Sequence, residues 1–387
     1  MKIGLVNKSF DPRRGGAEAW IYQHMLNLSE RGHDVHIVGQ NIPAEITRLP
    51  VVVHRLVNAR TALKRAEAAE AILRGLDLDL IHDMGLGWYC DIFQPHDGCW
   101  PAITRQKLLS MPHWLQPIKR HIDSWLPRYR QIQELSKRRA GKNNFLLLAV
   151  SHKVAAEFKK HYRIPQKRIR VIYNGVDVDH FSPRRRAELR QSVRQKLGIS
   201  PDTLLAISVA HNFRLKGIPT LLKAMEIIKS ENLPFHAVVV GGRNLQSWRL
   251  WARIRRLPVT FVGTQPDTMP FYAAADMLVH PSFYDSCSLV LLESAACGLP
   301  MLVSRENGAA ELLTDGIEGL LLNDASDAGR LAAQMKFMLD PDTRKRMGSA
   351  ARRLAVKHTF QHNFDEIIAI YQQIKEDKRR YLESVLS

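Results

Sequence analysis

The chain has 387 residues, 45% of them hydrophobic, enough apolar side chain to build more than one domain core. Its four cysteines, Cys90, Cys99, Cys287 and Cys297, form no C-x-x-C pair and no disulfide framework, so a reducing, cytoplasmic setting is expected. A formal net charge of +18 favours polyanionic partners, but zinc-finger spacing, an aromatic RNA-binding signature and a heptad-backed basic helix are all missing, so no nucleic acid is expected.

From the amino end, residues 3–6 form an apolar run too short for a signal peptide and better suited to a first strand. No later run reaches the roughly 18 apolar residues of a membrane-spanning helix, so a soluble or peripheral protein is expected. A helix-like stretch at 17–31 and apolar runs at 35–38, 51–56 and 80–82 set up a βαβ rhythm. The link between the first strand and first helix reads Arg13-Arg14-Gly15-Gly16-Ala17-Glu18, and its paired glycines would let backbone approach a ligand closely. His82-Asp83 closes a strand. Gln94-Pro95-His96-Asp97-Gly98 places two adjacent ionisable groups in a loop near the carboxyl edge of the first sheet, where ligands of α/β proteins bind. A plain structural turn is the competing explanation.

Residues 105–142 carry ten Lys or Arg against Asp123 and Glu134, interleaved with Trp114, Ile118, Ile122, Trp125, Leu126 and Tyr129. Cations mixed with aromatics suit an anionic membrane surface or the phosphates of an acceptor; a solvated basic helix pair with packed tryptophans is the alternative. Strand-like runs return at 146–150 and 169–173, and Asn174-Gly175-Val176-Asp177 and Ser182-Pro183 then break the pattern before a basic helix at 185–197. A second series follows at 204–209, 237–240, 259–262, 277–280 and 300–303. These runs imply an α/β chain with two parallel sheets in two Rossmann-like domains, 1–178 and 179–358. In the remainder, 359–387, Phe364, Ile367, Ile368, Ile370 and Tyr371 have the spacing of a packed terminal helix.

Two segments of the second domain carry chemistry. Val209-Ala210-His211-Asn212-Phe213-Arg214-Leu215-Lys216-Gly217 follows a strand, and Arg214 and Lys216 could stabilise a leaving diphosphate there. The second runs from Pro281 through Asp285-Ser286-Cys287-Ser288-Leu289 to Glu293 and Pro300. Small residues at 286–288 would present free amides at a helix start, where the helix dipole favours an anion. Eight residues at about 100° each bring Asp285 and Glu293 to within roughly one residue's rotation, so both carboxylates would address one cleft. An ordinary N-cap for Asp285 and a solvated Glu293 are the structural alternatives.

The run from 281 to 300 resembles the E-x7-E signature of glycosyltransferase family 4, with Asp285 in place of the first glutamate. The likeness extends to Gly15-Gly16-Ala17-Glu18, Val240-Gly241-Gly242, Phe261-Val262-Gly263, Tyr272-Ala273-Ala274-Ala275-Asp276 and Asn307-Gly308-Ala309-Ala310-Glu311. It implies the GT-B fold: two Rossmann-like domains facing across a deep cleft, with a C-terminal helix crossing back to the first. It also implies transfer with retained anomeric configuration, using a nucleotide-sugar as substrate, no cofactor and no metal. By the same resemblance, Asp285 and the 286–289 amides hold the donor sugar, Glu293 the ribose, and Gly15 and Gly16 face the diphosphate. His96 or Asp97 would contact the donor sugar or the acceptor hydroxyl. The Arg214/Lys216 loop and the basic aromatic insertion are most similar to the lipopolysaccharide-core glucosyltransferases. They imply a hexose, first UDP-glucose, moved to an anionic glycan or glycolipid by a peripheral protein on the inner face of the cytoplasmic membrane. A non-catalytic nucleotide- or polyanion-binding protein and a synthase with a neutral acceptor remain the alternatives.

Overall fold

The computed structural model describes residues 1–142, 145–242 and 244–386. They divide into two compact units, one made of Met1–Thr104, Trp114–Tyr173 and Asn363–Ser387, the other of Arg105–His113 and Asn174–His362. The boundary at Tyr173/Asn174 falls at the turn-forming run seen in the sequence.

The first unit alternates strands and helices: β1 Lys2–Val6, α1 Gly16–Glu30, β2 Asp34–Gly39, β3 Val52–Arg55, α2 Ala62–Arg74, β4 Leu80–Asp83 and β5 Ile92–Phe93. Three helices follow, α3 Trp100–Leu109, α4 Gln116–Trp125 and α5 Pro127–Lys142, and then β6 Leu146–Ala149, α6 His152–Tyr162 and β7 Ile169–Val171. Every strand pair is parallel, in the order β3-β2-β1-β4-β5-β6-β7. The chain therefore reverses its direction of sheet growth between β1 and β4, and loops leaving the carboxyl ends of those strands frame a ligand crevice.

In the second unit come α7 Pro183–Leu197, β8 Leu204–Val209, α8 Ile218–Ser230, β9 Phe235–Val240, α9 Gln246–Ile254, β10 Val259–Gly263, α10 Met269–Ala274, β11 Met277–His280, α11 Leu289–Ala296, β12 Met301–Ser304 and β13 Gly319–Leu322. The helices α12 Ala328–Phe337, α13 Pro341–Ala355 and α14 Phe360–Leu386 close the chain. The sheet is again parallel, ordered β10-β9-β8-β11-β12-β13, with its reversal between β8 and β11. Leu221, Met225, Ile228, Val239, Met277 and Val279 are among the fully buried side chains joining sheet to helices. Apolar area taken from water there supplies most of the drive to fold.

From Asn363 onward α14 belongs to the first unit, and specific bonds hold it there. Asn363 accepts from Trp20 Nε1 at 2.9 Å and donates to the Tyr173 carbonyl at 2.6 Å, while the Tyr371 hydroxyl sits 2.8 Å from His24 Nε2 and 2.5 Å from His82 Nδ1. Its apolar residues Phe364, Ile367, Ile368 and Tyr371 are buried.

Candidate active site

At the reversal point of the second sheet, the loop after β8 and the loop after β11 dock backbone to backbone. Phe283 N–H donates to the Leu215 carbonyl at 2.8 Å. Gly217 has φ +73°, and a Cβ on it would lie 1.8 Å from the Pro281 carbonyl oxygen, so only glycine allows this approach.

That docking brings Lys216 Nζ to 2.5 Å from Asp285 Oδ2 and 3.4 Å from the Tyr284 carbonyl. His280, the last residue of β11 and fully buried, places Nε2 3.4 Å from the same carboxylate oxygen. Burial alone would raise the Asp285 pKa, but the Lys216 ammonium and then His280 overcome it and hold the carboxyl well below its ordinary value. Asp285 is thus ionised and paired at neutral pH. His280 itself is pushed down by burial, against the pull of Asp285, and its Nδ1 is buried without a hydrogen-bond partner among the described residues.

The helix begins later than the sequence spacing implied. Asp285 is extended, its N–H donating to the Glu306 carbonyl at 3.1 Å and its carbonyl accepting from Gly308 N–H at 3.0 Å. Strand-like pairing with 306–308 therefore keeps Asp285 out of α11, and it is no N-cap. Ser288 precedes the first helical residue, Leu289, and its N–H is taken by the side chain of buried Asn307 at 3.3 Å, so the amide is not free. The Cys287 carbonyl accepts from Asn174 Nδ2 at 2.8 Å. Ser286 is buried beside them. The amides of Leu289 and Val290 belong to the first turn of the helix, whose N–H groups have no acceptor within the helix itself.

Helical rotation between positions 285 and 293 consequently does not apply, and the two acids have different partners. Glu293, half-buried in α11, accepts from the Tyr272 hydroxyl of α10 at 2.8 Å. Burial is the leading cause that pushes its pKa up to about 7, opposed by that hydrogen bond. Near it, His180 Nε2 lies 2.9 Å from Asp267 Oδ1. Arg214 takes a different direction from Lys216. It is exposed, with its guanidinium 5.8 Å from the ring centre of Trp248 on α9, whereas Lys216 on the same loop points to Asp285. The cation–π attraction of the indole explains the divergence.

In the first unit, Gly15 and Gly16 lie at the start of α1, after the loop from β1. A Cβ on Gly15 would come within 3.1 Å of the Glu18 carboxylate. Glu18 is raised first by burial and then by the negative charge of Asp97, which places exposed Asp97 in the electrostatic field of this loop. His96 is buried, its ring 4.4 Å from that of Trp20, and burial lowers its pKa to about 3. Its ring is therefore neutral at pH 7 and packed on Trp20. His82 and Asp83 are structural: His82 meets Tyr371, and Asp83 accepts the amides of Gly85, Leu86 and Gly87 at 2.6–2.9 Å.

Sequence reasoning missed His280, whose signal was a polar side chain ending an otherwise apolar buried strand. It also missed the positioning roles of Asn174 and Asn307, which depend on partners distant in sequence.

Two family models match the chain, Glycosyltransferase Family 4 over residues 14–180 and Glycosyl transferases group 1 over residues 190–354. A D-inositol 3-phosphate glycosyltransferase of Thermobifida fusca is 30% identical over 240 residues, covering 58% of this chain and 54% of the relative, so the chain spans about half the length of that curated protein. Among solved structures, WaaG, a glycosyltransferase involved in lipopolysaccharide biosynthesis, superposes with a TM-score of 0.80 at 21% identity, covering 95% of this chain and 99% of WaaG. Anabaena HepE in complex with UDP and glucose superposes with a TM-score of 0.72 at 19% identity, covering 96% and 99%. With two parallel Rossmann-like sheets, a loop-docked Lys216–Asp285 pair at the reversal of the second, and family models over both halves, the chain belongs to the family 4 glycosyltransferases of GT-B fold.

Proposed function

We propose that this chain is a retaining glycosyltransferase that moves a hexose from a nucleotide-sugar, UDP-glucose first, to an anionic glycan or glycolipid such as lipopolysaccharide core. The observation that carries the reading is the Lys216–Asp285 pair beside the α11 amides. A cation already desolvated and aimed, next to helix-start amides, suits the charge that develops on a departing diphosphate. Arg214 would leave Trp248 to join Lys216 when donor binds. Fixed cations and amides then do the work without a resident metal, Asp285 orients Lys216 and the donor sugar, and Glu293 accepts from the ribose hydroxyls. The acceptor hydroxyl attacks on the face from which the diphosphate departs, with a leaving phosphate oxygen as base, and this geometry retains configuration. His96 and Asp97, in the loop at the carboxyl edge of the first sheet, are the candidates for contact with the donor sugar or the acceptor hydroxyl.

Peripheral contact with an anionic membrane on its cytoplasmic face is part of the proposal. Trp114, Ile118, Ile122 and Trp125 recur at helical spacing and are 72, 53, 49 and 67% exposed, with Lys119 and Arg120 alongside, a composition suited to an interfacial helix. The test of the whole reading is twofold. UDP-glucose should raise the melting temperature in proportion to its occupancy, and the product linkage should keep the donor's α configuration. An inverted linkage, or no shift with any nucleotide-sugar, defeats it.

A further inference from the structure

His280 is the last residue of β11, and the rest of that strand, Met277-Leu278-Val279, is apolar and fully buried. Its backbone is fixed in register opposite Val303 of β12, and its carbonyl accepts from Ser282 N–H at 2.9 Å. The next residue, Pro281, is the one on which Gly217 docks. An imidazole sealed at such a place must find a polar partner or weaken the fold. Asp285 Oδ2, 3.4 Å from Nε2, is that partner, and Nδ1 has none among the described residues.

That geometry selects a tautomer. A carboxylate oxygen only accepts, so a neutral ring with its proton on Nδ1 would set lone pair against lone pair at Nε2 and bury an N–H with no acceptor. With the proton on Nε2, the ring donates to Asp285 and only a lone pair is left unserved, the lesser penalty. Burial outweighs the pull of Asp285 and holds the ring below its ordinary pKa, so it carries one proton rather than two near neutral pH.

The same carboxylate oxygen therefore has two donors of different kinds. Lys216, 2.5 Å away, keeps 22% of its side chain exposed, while His280 keeps 1%. Lys216 stands on a flexible stem and can exchange Asp285 for an arriving anion. His280, a short ring fixed by strand and core, cannot.

We propose that His280, with its proton on Nε2, is a positioning residue: it is the permanent partner that keeps the Asp285 carboxylate in place when Lys216 turns to the donor diphosphate. Without it, Oδ2 would lose both donors at once, and Asp285 its aim at the donor sugar. The part played in transfer rests on the transferase reading above; the tautomer and the hold on Asp285 do not.

The tautomer is read in the unaltered chain carrying isotope-labelled histidine, by long-range proton–nitrogen correlation near neutral pH, with the His280 signals identified by their loss in the variants. A pyrrole-type Nε2 and a pyridine-type Nδ1 are expected, and both should persist in saturating UDP-glucose. For the kinetic arm, Gln places an amide N–H where Nε2 stands, whereas Asn is too short to reach. With UDP-glucose as donor, His280→Asn should lower kcat about tenfold with KM within about twofold of the parent, and His280→Gln should recover kcat to within about threefold. Rates are compared at a temperature where both variants remain folded. A proton on Nδ1, a doubly protonated ring, equal losses of kcat in both variants, or an unchanged kcat in His280→Asn would overturn the proposal. Because the tautomer is measured in the unaltered chain, poor folding of one variant cannot hide the answer. An unaltered chain that turns over no nucleotide-sugar, with the Nε2 proton in place, would instead overturn the transferase reading and spare the hold on Asp285.

Discussion

The two sheets share one topology and differ in how they treat positive charge at the reversal point. In the second, Lys216 is answered within the protein, by Asp285 at 2.5 Å and, through that carboxylate, by His280. In the first, Lys8 and Arg14 follow β1 while Arg65 and Arg128 lie in the first turns of α2 and α5, and among the described residues none of the four is at ion-pair distance from a carboxylate. An internally paired cation is rigid and pre-aimed, ready for charge that appears during a reaction. A cation without such a partner is better suited to a ligand whose charge is there from the start.

The comparison is broken most severely by Lys216→Ala. It removes the main partner of a nearly buried carboxylate, so we expect a loss of about 3 kcal/mol in stability and about a thousandfold fall in kcat with UDP-glucose as donor. Denaturant unfolding and steady-state rates check the two separately. If the catalytic loss is repaired by restoring stability alone, with osmolyte or a stabilising substitution elsewhere, the aimed-cation reading fails.

A smaller effect is expected from Gly217→Ala, which tests the docking of the two loops rather than the charges they carry. The new methyl meets the Pro281 carbonyl and the residue must hold φ +73°, so about 2–3 kcal/mol should be lost and Lys216 should shift from Asp285. Melting temperature and UDP-glucose affinity should fall together. An unaltered donor affinity would show that the loop contact does not aim the lysine.

How much of this was readable in advance follows from range along the chain. The strand rhythm, the terminal helix and the turn at Asn174 are local patterns, and the structure reproduces them within a few residues. Lys216 and Asp285 were visible as loop residues after strands. The start of α11 was not, because Asp285 is drawn into extended pairing by Glu306 and Gly308, a choice that no window around 285 contains. The direction of Arg214 was not legible either, since its guanidinium lies over Trp248, more than thirty positions away.

The mildest prediction concerns Glu293, the acid that follows neither pattern, being half-buried and joined to a neutral hydroxyl rather than to a cation. Its folded pKa of about 7 exceeds the ordinary glutamate value of 4.5, so the folded state binds this proton more tightly than the unfolded chain. The resulting stability is fully present below about pH 4.5 and is lost as pH rises through about 7. Glu293→Gln keeps an acceptor for Tyr272 and abolishes the titration, so its melting temperature should match the parent near pH 4 and exceed it at pH 8, by about 1–2 kcal/mol in stability. If the ionised carboxylate is also what receives ribose hydroxyls, the same variant should show a smaller UDP-glucose shift at pH 8 despite its greater intrinsic stability. Parallel melting curves across that pH range would show that Glu293 is solvated rather than buried, and would remove it from the candidate site.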